Sequence, residues 1–595
     1  MNWEAIYHID DVPYAFPVRP DAVKVRIRAK RGDVRKANVL HSDRYVAYRN
    51  EMPQELELVA STASHDYFEG VIVTETKRIR YVFQLEDGEG NSVWFGELGA
   101  SPNRDMAGVF NIPYVSPSEV HELPEWVYDA VVYQIFPDRF RNGDESNDPP
   151  GTEPWTPDAS PSAQSYYGGD LAGITEKLPY LQELGINLLY LTPVFVSPST
   201  HKYDTTDYLA IDPHFGDIGQ LKALVDEAHM RGIRVMLDAV FNHSGNQFFA
   251  FRDVVEKGEA SRYKEWFFAE RFPVVESPVP NYVTFGNAIA TMPKLNTANE
   301  ELKQYLLDVA AYWIRETGID GWRLDVANEV DRTFWRDFRR AVKSEKPDAL
   351  IVGEIMHHSG PWLRGDQFDG VMNYMLRTAM VDFFAKTSIG VREFSGRLSM
   401  IRMMYTDAAN AAMFNLIGSH DTERFMTMCE RHGFGWGEEK AVKEKMMLAV
   451  FFQMIYPGIP QIYYGDEVGM RGGEDPECRR PMLWQEEQQD GELLAFYRKV
   501  IALRRQYAAL RRGKVRVWLE EESLGVLGIV RDDGTQRVAA LINNSPLEAV
   551  VSAGSPFGSG PSGFILDAMS GVRYPHEGRL QLSLPPYGCA LLCEE

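Results

Sequence analysis

The sequence predicts a multidomain α/β protein: a (β/α)8 TIM barrel, with a small inserted domain after its third strand, flanked by N-terminal and C-terminal β-sandwiches. In the middle of the 595-residue chain, eight short apolar runs alternate with helical segments, which is the signature of a closed parallel barrel. At both ends of the chain, apolar and polar residues alternate with period two. One connection in the barrel region is long and rich in aromatic residues, which indicates the inserted domain.

The N-terminal β-sandwich is predicted to span residues 1–122. Residues 23–30, VKVRIRAK, alternate apolar and basic side chains, which predicts a strand with one buried and one solvated face. The run RIRYVFQLEDGEGNSVWFGE predicts two strands joined by a glycine-rich turn. The segment RYVAY, which contains Tyr45 and Tyr48, is interpreted as another aromatic-rich strand.

The barrel is predicted to span residues 123–508 and to contain the inserted domain at 244–297. Its eight predicted strands are VVYQIF, INLLYLTP, IRVMLDAVF, GIDGWRLD, ALIVGEI, FDGVMNY, MFNLIGS and IPQIYYGDE. Helical segments such as ELKQYLLDVAAYWIRETG lie between them. The C-terminal β-sandwich is predicted at 509–595, where DDG between two apolar runs indicates a hairpin turn.

The composition excludes several classes of partner. The formal net charge of −23 and the isoelectric point near 5.1 argue against nucleic acid and anionic membranes, since both are bound by basic surfaces. No apolar stretch is long enough to span a bilayer, and the first residues lack the basic start and apolar run of a signal peptide. The four cysteines have neither the density of a disulfide framework nor the spacing of a zinc site. We therefore expect a cytoplasmic protein with free thiols.

The stretch from residue 318 to 330, GIDGWRLDVANEV, is the chemical centre of the sequence. Arg323 and Asp325 point to the same side of a predicted strand, because residues two apart share a face. Two further acids end predicted strands, Glu354 in ALIVGEI and Asp421 in FNLIGSHD. Because catalytic residues of such barrels lie at the carboxyl ends of the strands, three acids and one arginine there predict glycoside chemistry.

Cleavage of a glycosidic bond with retention needs two carboxyl groups in different protonation states. Asp325 is the candidate nucleophile, since Arg323 on the same strand face is expected to keep it ionised. Glu354 is the candidate acid, because it follows an apolar strand and partial burial raises the pKa of a carboxyl group. Asp421 offers a third carboxylate for sugar hydroxyls, and His243, at the end of IRVMLDAVFNH, offers a donor.

Four motifs, DAVFNH, GWRLDVANE, GEI and GSHD, resemble the four short conserved regions of the α-amylase family. MPKLN at 292–296 and VANE at 326–329 resemble the group of neopullulanases, cyclomaltodextrinases and maltogenic amylases, which also carries an N-terminal β-domain. The resemblance implies a retaining hydrolase of α-1,4, and possibly α-1,6, glucosidic bonds in cyclodextrins, pullulan and maltodextrins. It also implies some transglycosylation.

The resemblance also assigns roles to individual residues. It makes Asp325 the nucleophile, Glu354 the acid/base, Asp421 the stabiliser of the transition state, and Arg323, His243 and His420 ligands of the sugar in the cleaved subsite. It makes Tyr203, in HKYDTTDY, a stacking platform for that sugar, and it places Asp475 and Arg479, in EDPECRRPM, against the neighbouring sugar. One departure concerns Met356, which stands where the group usually carries tryptophan and affects the acceptor side of the cleft.

A second cluster, NGDESND at 142–148 with GGD at 168–170, is rich in oxygen ligands. At turn spacing it supplies the side-chain oxygens of Asn142, Asp144, Asn147 and Asp148, as a hard cation requires. The spacing alone fits equally well an Asx-rich surface turn without metal. The resemblance implies a structural calcium ion at this position and adds Gly168 and Asp170 to its ligands.

The resemblance further implies a homodimer, in which the N-terminal domain packs over the barrel mouth of the partner and places Tyr45 near its cleft. Two other functions compete with the α-1,4 hydrolase. A debranching or branching enzyme specific for α-1,6 bonds is disfavoured by MPKLN and VANE. A non-catalytic, amylase-like glucan-binding subunit typically lacks a catalytic acid, whereas all three are present here.

Overall fold

The fold was analysed in a computed structural model that describes residues 1–46, 51–286, 288–432, 438–558, 563–576 and 578–594. The predicted fold class is confirmed: a parallel barrel carries an inserted segment and lies between two domains built from sheets. Within the described ranges no helix is both long and apolar enough to cross a membrane.

The N-terminal domain packs two antiparallel sheets against each other, as predicted. Its strands are β1 (Ala15–Arg19), β2 (Ala22–Lys30), β3 (Lys36–Ser42), β4 (Met52–Glu55), β5 (Glu57–Ser61), β6 (His65–Val73), β7 (Ile79–Glu86), β8 (Ser92–Gly96), β9 (Gly99–Ser101) and β10 (Phe110–Ile112), with a short helix α1 (Arg104–Ala107). One sheet has the order β1-β2-β6-β5, and the other has the order β4-β3-β7-β8-β9 with β10 beside β7. The predicted hairpin forms between β7 and β8.

Two predictions for this domain are wrong. In the first half of strand β2 the basic face is not solvated, because Lys24 and Arg26 are buried against the barrel, whereas Arg28 is half-buried and Lys30 is exposed. Arg26 donates to the main-chain oxygen of Met403 at 2.7 Å and pairs with Glu69 at 2.6 Å, while Lys24 pairs with Glu69 and Asp407. We call Lys24, Arg26, Glu69 and Asp407 the interface cluster. The segment RYVAY is not a strand where it is described: Tyr45 lies in a turn after β3, and Tyr48 lies outside the described residues.

The barrel sheet consists of eight parallel strands at the predicted positions. They are β11 (Val132–Ile135), β12 (Leu188–Leu191), β15 (Arg234–Ala239), β16 (Gly321–Leu324), β17 (Leu350–Gly353), β18 (Gly370–Val371), β19 (Phe414–Leu416) and β20 (Ile459–Tyr463), and a hairpin of β13 (Phe195–Val196) and β14 (Asp207–Ile211) follows β12. The strands pair in the order β18-β17-β16-β15-β12-β11-β20-β19, and a bridge between Met372 and Phe414 closes the barrel. All eight carboxyl ends therefore face one mouth.

Helices surround the barrel and are amphipathic or buried against it. They are α2 (Leu171–Leu184), α3 (Ile218–Met230), α4 (Phe249–Lys257), α5 (Glu300–Thr317), α6 (Arg332–Glu345), α7 (Tyr374–Met380), α8 (Val391–Met403), α9 (Asp407–Ala411), α10 (Phe425–His432), α11 (Glu439–Ile455), α12 (Gly491–Gln506) and α13 (Ala508–Arg512). Helix α5 begins at Asn299, whose side chain caps the amide of Leu302, and ends at Gly318 in the left-handed conformation. That turn leads the chain directly into β16.

The long connection between β15 and α5 contains α4 and several isolated bridges rather than a sheet. The bridge between His243 and Lys294 ties the two ends of this connection together beside the barrel mouth. After α13, the chain forms β21 (Lys514–Glu521), β22 (Val526–Asp532), β23 (Arg537–Asn543), β24 (Ala549–Gly554), β25 (Gly563–Asp567), β26 (Arg573–His576), β27 (Arg579–Leu584) and β28 (Cys589–Glu594). The predicted DDG hairpin joins β22 and β23.

Candidate active site

Two adjacent barrel strands bring the candidate nucleophile and acid together. Asp325 follows β16 and Glu354 follows β17, and the two strands pair in register with Leu324 opposite Gly353. The Glu354 amide donates to the Leu324 carbonyl at 2.8 Å, and the Asp325 amide donates to the β15 residue Ala239 at 3.0 Å. The sheet ladder therefore fixes the backbone of both acids, and both side chains are more than nine-tenths buried.

A single guanidinium group links the acids. Arg323, fully buried, approaches Asp325 at 2.9 Å through Nη1 and Glu354 at 2.6 Å through Nη2. Its Nη1 also lies 2.9 Å from Asp238, a residue of β15 that is 1% exposed. We call Asp238, Arg323, Asp325 and Glu354 the acid cluster. It contains three carboxyl groups and one cation, so the cluster favours retention of a proton.

The protonation of the acid cluster differs from the prediction for Asp325. Burial raises the pKa of Asp325 well above its usual range, and the nearby carboxyl groups of Glu354 and Asp238 reinforce this, although Arg323 opposes it. Burial likewise raises the pKa of Glu354 and raises that of Asp238 to about 6. The expectation that Arg323 holds Asp325 ionised is therefore wrong for the free site, because one guanidinium is shared by three buried acids. The expectation of a raised pKa for Glu354 agrees with the structure.

A chain of hydrogen bonds connects the acid cluster to His420. The His420 Nδ1 atom lies 2.7 Å from the side-chain amide of Gln134 on β11, and its Nε2 lies 2.6 Å from the Tyr203 hydroxyl. Tyr203 in turn donates to Asp238 at 3.0 Å. Burial and the nearby cation of Arg479 lower the pKa of His420 well below its usual value. The imidazole is therefore neutral, with Nδ1 as acceptor and Nε2–H as donor.

The third acid, Asp421, lies more openly at the mouth. Its carboxylate accepts from Arg479 at 3.2 Å, and the same guanidinium donates to the main-chain oxygen of His420 at 2.8 Å. Asp475 pairs with Arg479 at 3.0 Å. The structure thus brings Asp475 and Arg479 next to Asp421, the acid that follows β19.

His243 lies on the opposite wall, where the inserted connection leaves the barrel. It is 1% exposed, and its ring stacks on Phe285 with a centroid distance of 4.8 Å. Burial and the nearby Lys294 lower its pKa to about 3. Its Nε2 atom forms no hydrogen bond within the described residues, which leaves a neutral imidazole nitrogen available to a ligand.

Two predicted binding residues lie outside this network. Met356 is 57% exposed, two residues beyond Glu354, where it is accessible from the mouth. Tyr45 is 77% exposed on the N-terminal domain, with the guanidinium of Arg78 5.2 Å from the centre of its ring. Within this single chain, no contact joins Tyr45 to the acid cluster among the described residues.

Sequence reasoning missed three polar residues inside buried strands. Asp238 anchors Arg323, Tyr190 on β12 donates to Asp238 at 2.6 Å, and Gln134 orients His420. All three are at most 1% exposed. The available signal was a polar residue in an otherwise apolar strand, since such a residue is costly to bury without a partner.

The candidate metal loop is built around Asp170, the N-cap of α2. Its two carboxylate oxygens accept from the amides of Gly143, Asp144 and Gly173 and from the side chain of Asn147. The carboxylate of Asp144 accepts from Ser146 instead of facing the loop interior. Asp144 and Asp170 therefore already use their side chains to shape the loop.

The remaining predicted ligands fit a hard cation. The side-chain oxygens of Asn142 and Asn147 are buried and form no hydrogen bond within the described residues. Burial, with the nearby carboxylates of Glu145 and Asp170, raises the pKa of Asp148. Gly168 has φ 77°, a conformation that favours glycine, and a Cβ there would displace the side chains of Asp148 and Asn142, whose nearest atoms lie 2.2 and 2.4 Å away. Neither in this loop nor in the rest of the described ranges does a group of three His, Cys, Asp or Glu side chains have a metal-binding arrangement, so the predicted ligand set depends on amide and main-chain oxygens.

Comparison with known proteins identifies the family. Residues 134–513 match the family described as "Alpha amylase, catalytic domain", and residues 1–116 match "Alpha amylase, N-terminal ig-like domain". The chain is 51% identical to neopullulanase 2 of Thermoactinomyces vulgaris over 99% of this chain and 98% of that protein. It is 45% identical to a cyclomaltodextrinase of Thermoanaerobacter pseudethanolicus over 93% and 94%.

Among solved structures, one named cyclomaltodextrinase superposes with a TM-score of 0.93 at 42% identity, and each chain is covered completely. The predicted resemblance to the neopullulanase, cyclomaltodextrinase and maltogenic amylase group is confirmed by these matches. The chain is a glycoside hydrolase and belongs to the α-amylase family.

Proposed function

We propose that the protein hydrolyses α-glucosidic bonds with retention of configuration, through a covalent glycosyl–Asp325 intermediate. The observation that carries this proposal is the single guanidinium of Arg323, which binds Asp325 and Glu354 at neighbouring strand ends. Two carboxyl groups held by one buried cation are close enough for the retaining reaction, and their shared proton supplies the required acid.

In the first half of the reaction, a carboxylate oxygen of Asp325 attacks the anomeric carbon while the bond to the leaving oxygen breaks. Glu354 gives its proton to that oxygen, so the leaving sugar departs as a neutral alcohol. Entry of the sugar concentrates the cluster's proton on Glu354, because Asp325 keeps its bond to Arg323. His420, Tyr203 and Asp421 are proposed to contact the sugar, and the negative charge of the Asp421 carboxylate favours its positive transition state.

In the second half, Glu354 takes a proton from water, and the water oxygen displaces Asp325 from the anomeric carbon. A sugar hydroxyl that replaces water gives transglycosylation instead of hydrolysis. Met356, exposed two residues after Glu354, is proposed to lie on the side from which this acceptor arrives. A flexible thioether offers a weaker platform than an indole ring, so we propose more hydrolysis and less transfer than in relatives with tryptophan.

The proposed substrates are cyclodextrins, pullulan and maltodextrins, with α-1,4 bonds as the main target and α-1,6 bonds as a possible second. The names of the similar proteins, neopullulanase and cyclomaltodextrinase, support these substrates. Product analysis on pullulan is the test. Panose indicates α-1,4 cleavage, maltotriose indicates an α-1,6-specific debranching enzyme, and absence of products from pullulan and cyclodextrins alike indicates a non-catalytic glucan-binding protein. A β-anomeric initial product would contradict retention.

A structural calcium ion is proposed for the loop at 142–148. The orphaned amide oxygens of Asn142 and Asn147, the Asp148 carboxylate and the Gly168 carbonyl would hold it, while Asp144 and Asp170 shape the loop. Calcium would supply charge neutralisation there and no catalytic step.

We also propose a cytoplasmic homodimer in which the exposed Tyr45 faces the partner's cleft and limits access for bulky glucans. Sedimentation as a monomer at micromolar concentration would contradict the dimer.

A further inference from the structure

The residue after the candidate nucleophile has an unusual backbone. Val326 adopts φ 44° and ψ 43°, the left-handed region. A β-branched residue is rarely found there, because its Cβ crowds the following carbonyl oxygen. Strain of this kind persists only where surrounding contacts impose it.

The strained turn directs two successive amides at the acid/base residue. The Val326 amide donates to the Glu354 Oε2 at 3.0 Å, and the Ala327 amide donates to the main-chain oxygen of Glu354 at 3.2 Å. The first of these amides thus binds the carboxyl group, and the second binds the backbone of the same residue. The other carboxylate oxygen of Glu354, Oε1, forms an ion pair with the Arg323 Nη2 at 2.6 Å, but this Nη2 forms no hydrogen bond among the described residues. The Val326 amide is therefore the hydrogen-bond donor that the structure provides to the Glu354 carboxyl group.

Buried neighbours lock the turn in place. The indole of Trp335 on α6 donates to the Ala327 carbonyl at 2.9 Å, and both side chains are fully buried. On the far side, a Cβ at Gly353 would lie 2.6 Å from the ring of Phe368 and 3.4 Å from the Ala327 side chain. The turn cannot relax without disturbing the packing between α6 and β17.

We propose that the main-chain amide of Val326 is a positioning donor for Glu354, and that the strained turn exists to aim this amide at the carboxyl group. The inference rests on the proposed retaining function. It assigns to Val326 a role through its backbone, which explains why a valine is held in a conformation suited to glycine or asparagine.

The amide has a defined task in each half-reaction. When Glu354 has given its proton to the leaving oxygen, the carboxylate that remains gains a stronger hydrogen bond from Val326. The amide therefore favours proton release and then holds the carboxylate ready to accept the proton of the incoming water. No other atom changes its bonds, so the proton balance of the reaction is unaltered.

The electrostatic surroundings of Glu354 must be kept constant in any test. The charged and titratable groups that act on it are Arg323, Asp325, Asp238, Asp421, Tyr190 and Tyr374. A test on the pH profile therefore has to remove the Val326 amide hydrogen while leaving all these side chains unchanged. Replacement of Val326 by its α-hydroxy analogue, introduced by nonsense suppression, does this because an ester oxygen replaces only the N–H.

We expect the basic limb of the kcat/KM profile on a maltodextrin to move upward by about half to one pH unit in this ester variant, because the carboxylate loses a donor. At neutral pH we expect kcat/KM on maltodextrin to fall about 10- to 100-fold, whereas kcat/KM on α-maltosyl fluoride stays within about twofold. Fluoride leaves without a proton, so its kcat/KM reports on the nucleophile alone.

The matched control is the α-hydroxy analogue of alanine at residue 327, which removes the neighbouring amide that donates to the Glu354 main chain. It is expected to leave the basic limb unmoved. Trp335→Phe provides a second route if the 326 ester does not fold, since it frees the Ala327 carbonyl and loosens the turn. We expect it to lower kcat/KM on maltodextrin more than on the fluoride.

An unmoved basic limb in the 326 ester, or equal losses on both substrates in the ester and in Trp335→Phe, would overturn the inference. Normal hydrolysis of the fluoride in the native enzyme would leave the proposed function standing in that case. Failure of the native enzyme on both substrates would instead refute the proposed function.

Discussion

The interface cluster and the acid cluster are two buried ionic networks with opposite balance. In the interface cluster, two cations meet two acids, and Arg26 has a further partner in the Met403 carbonyl. Although burial opposes ionisation, Arg26 and Lys24 lower the pKa of Glu69 to about 2. In the acid cluster, one cation serves three acids, and burial raises the pKa of each acid.

The two networks also differ in how completely their atoms are bonded. Within the described part of the chain, no buried side-chain atom of Lys24, Arg26 or Glu69 lacks a hydrogen-bond partner, whereas the Asp325 Oδ2 does. A buried polar atom without a partner costs free energy, which a ligand at that atom recovers. A buried ionic network whose polar atoms are all hydrogen-bonded therefore stabilises the fold. A network of the same residue types with an unpaired atom can instead bind substrate at that atom.

The largest expected effect comes from a substitution that disrupts the acid cluster. Asp325→Asn removes the nucleophile, so kcat on a cyclodextrin should fall by about 10⁴-fold or more, because covalent catalysis requires the carboxylate. The melting temperature should stay level or rise, since a buried acid with a raised pKa is removed. Steady-state kinetics and calorimetry on the same preparation measure both quantities. Near-native turnover would exclude Asp325 from the proposed role.

The second largest expected effect comes from a substitution that disrupts the interface cluster. Glu69→Gln leaves Arg26 and Lys24 short of a buried counter-ion, which should cost about 3–5 kcal/mol of unfolding free energy. The kcat of the folded variant should change by less than about twofold, because the cluster lies between domains and not at the barrel mouth. Denaturant unfolding monitored alongside kcat would measure the contrast. A large loss of kcat without loss of stability would reverse the assignment of the two clusters.

The positions of barrel strands and of their terminal acids could be predicted because both follow from local pattern. A short apolar run predicts a strand, and catalytic side chains lie at strand ends in this architecture, so Asp325, Glu354 and Asp421 were identifiable. The roles of polar residues within the strands could not be predicted, because Asp238 and Gln134 act through contacts with side chains on other strands. Pairing of distant strands supplies that information, and no single segment contains it.

The interface cluster was unpredictable for a related reason. Alternation of apolar and basic residues in VKVRIRAK predicts one solvated face, and the alternation itself is real. The first half of the basic face, at Lys24 and Arg26, is buried because the barrel covers it, and period-two patterning indicates only that the two faces differ. The same limit applies to Val326, whose backbone conformation depends on Trp335 and Glu354 rather than on its own preferences.

The third prediction uses pH to separate the two clusters. Glu69 has a pKa lowered from 4.5 to about 2, so its stabilising contribution is present above pH 4.5 and is lost as the pH falls towards 2. Asp238 has a pKa raised from 3.8 to about 6, so its contribution is present below 3.8 and is lost as the pH rises through 6. Each gap of about two pH units corresponds to about 3 kcal/mol.

The melting temperatures of Glu69→Gln and Asp238→Asn, each relative to native protein, should therefore change with pH in opposite directions. The deficit of Glu69→Gln should shrink from pH 4.5 to 3, and the deficit of Asp238→Asn should shrink from pH 4 to 7. Calorimetry across this range measures both deficits. Parallel trends in the two variants would mean that the clusters do not differ in charge balance.

The smallest expected effect concerns the loop at 142–148. It tests whether the loop is a fully hydrogen-bonded structural network, like the interface cluster, or a site with unpaired atoms that binds a ligand, like the acid cluster. Its orphaned Asn142 and Asn147 oxygens and the raised pKa of Asp148 resemble the unsatisfied acid cluster, so we expect a ligand there, namely calcium. An ion present at about 100 times its Kd contributes about 2.7 kcal/mol. Because the unfolding entropy of a chain of this size is about 1 kcal/mol/K, chelation should lower the melting temperature by about 2–4 °C. Asp148→Asn should lose most of this sensitivity to chelator. Asp144→Asn, which removes the same charge from a carboxylate turned towards Ser146, should keep it. Equal sensitivity in both variants would place any ion elsewhere, and an unchanged melting curve of the native protein in chelator would show that the loop is satisfied without one.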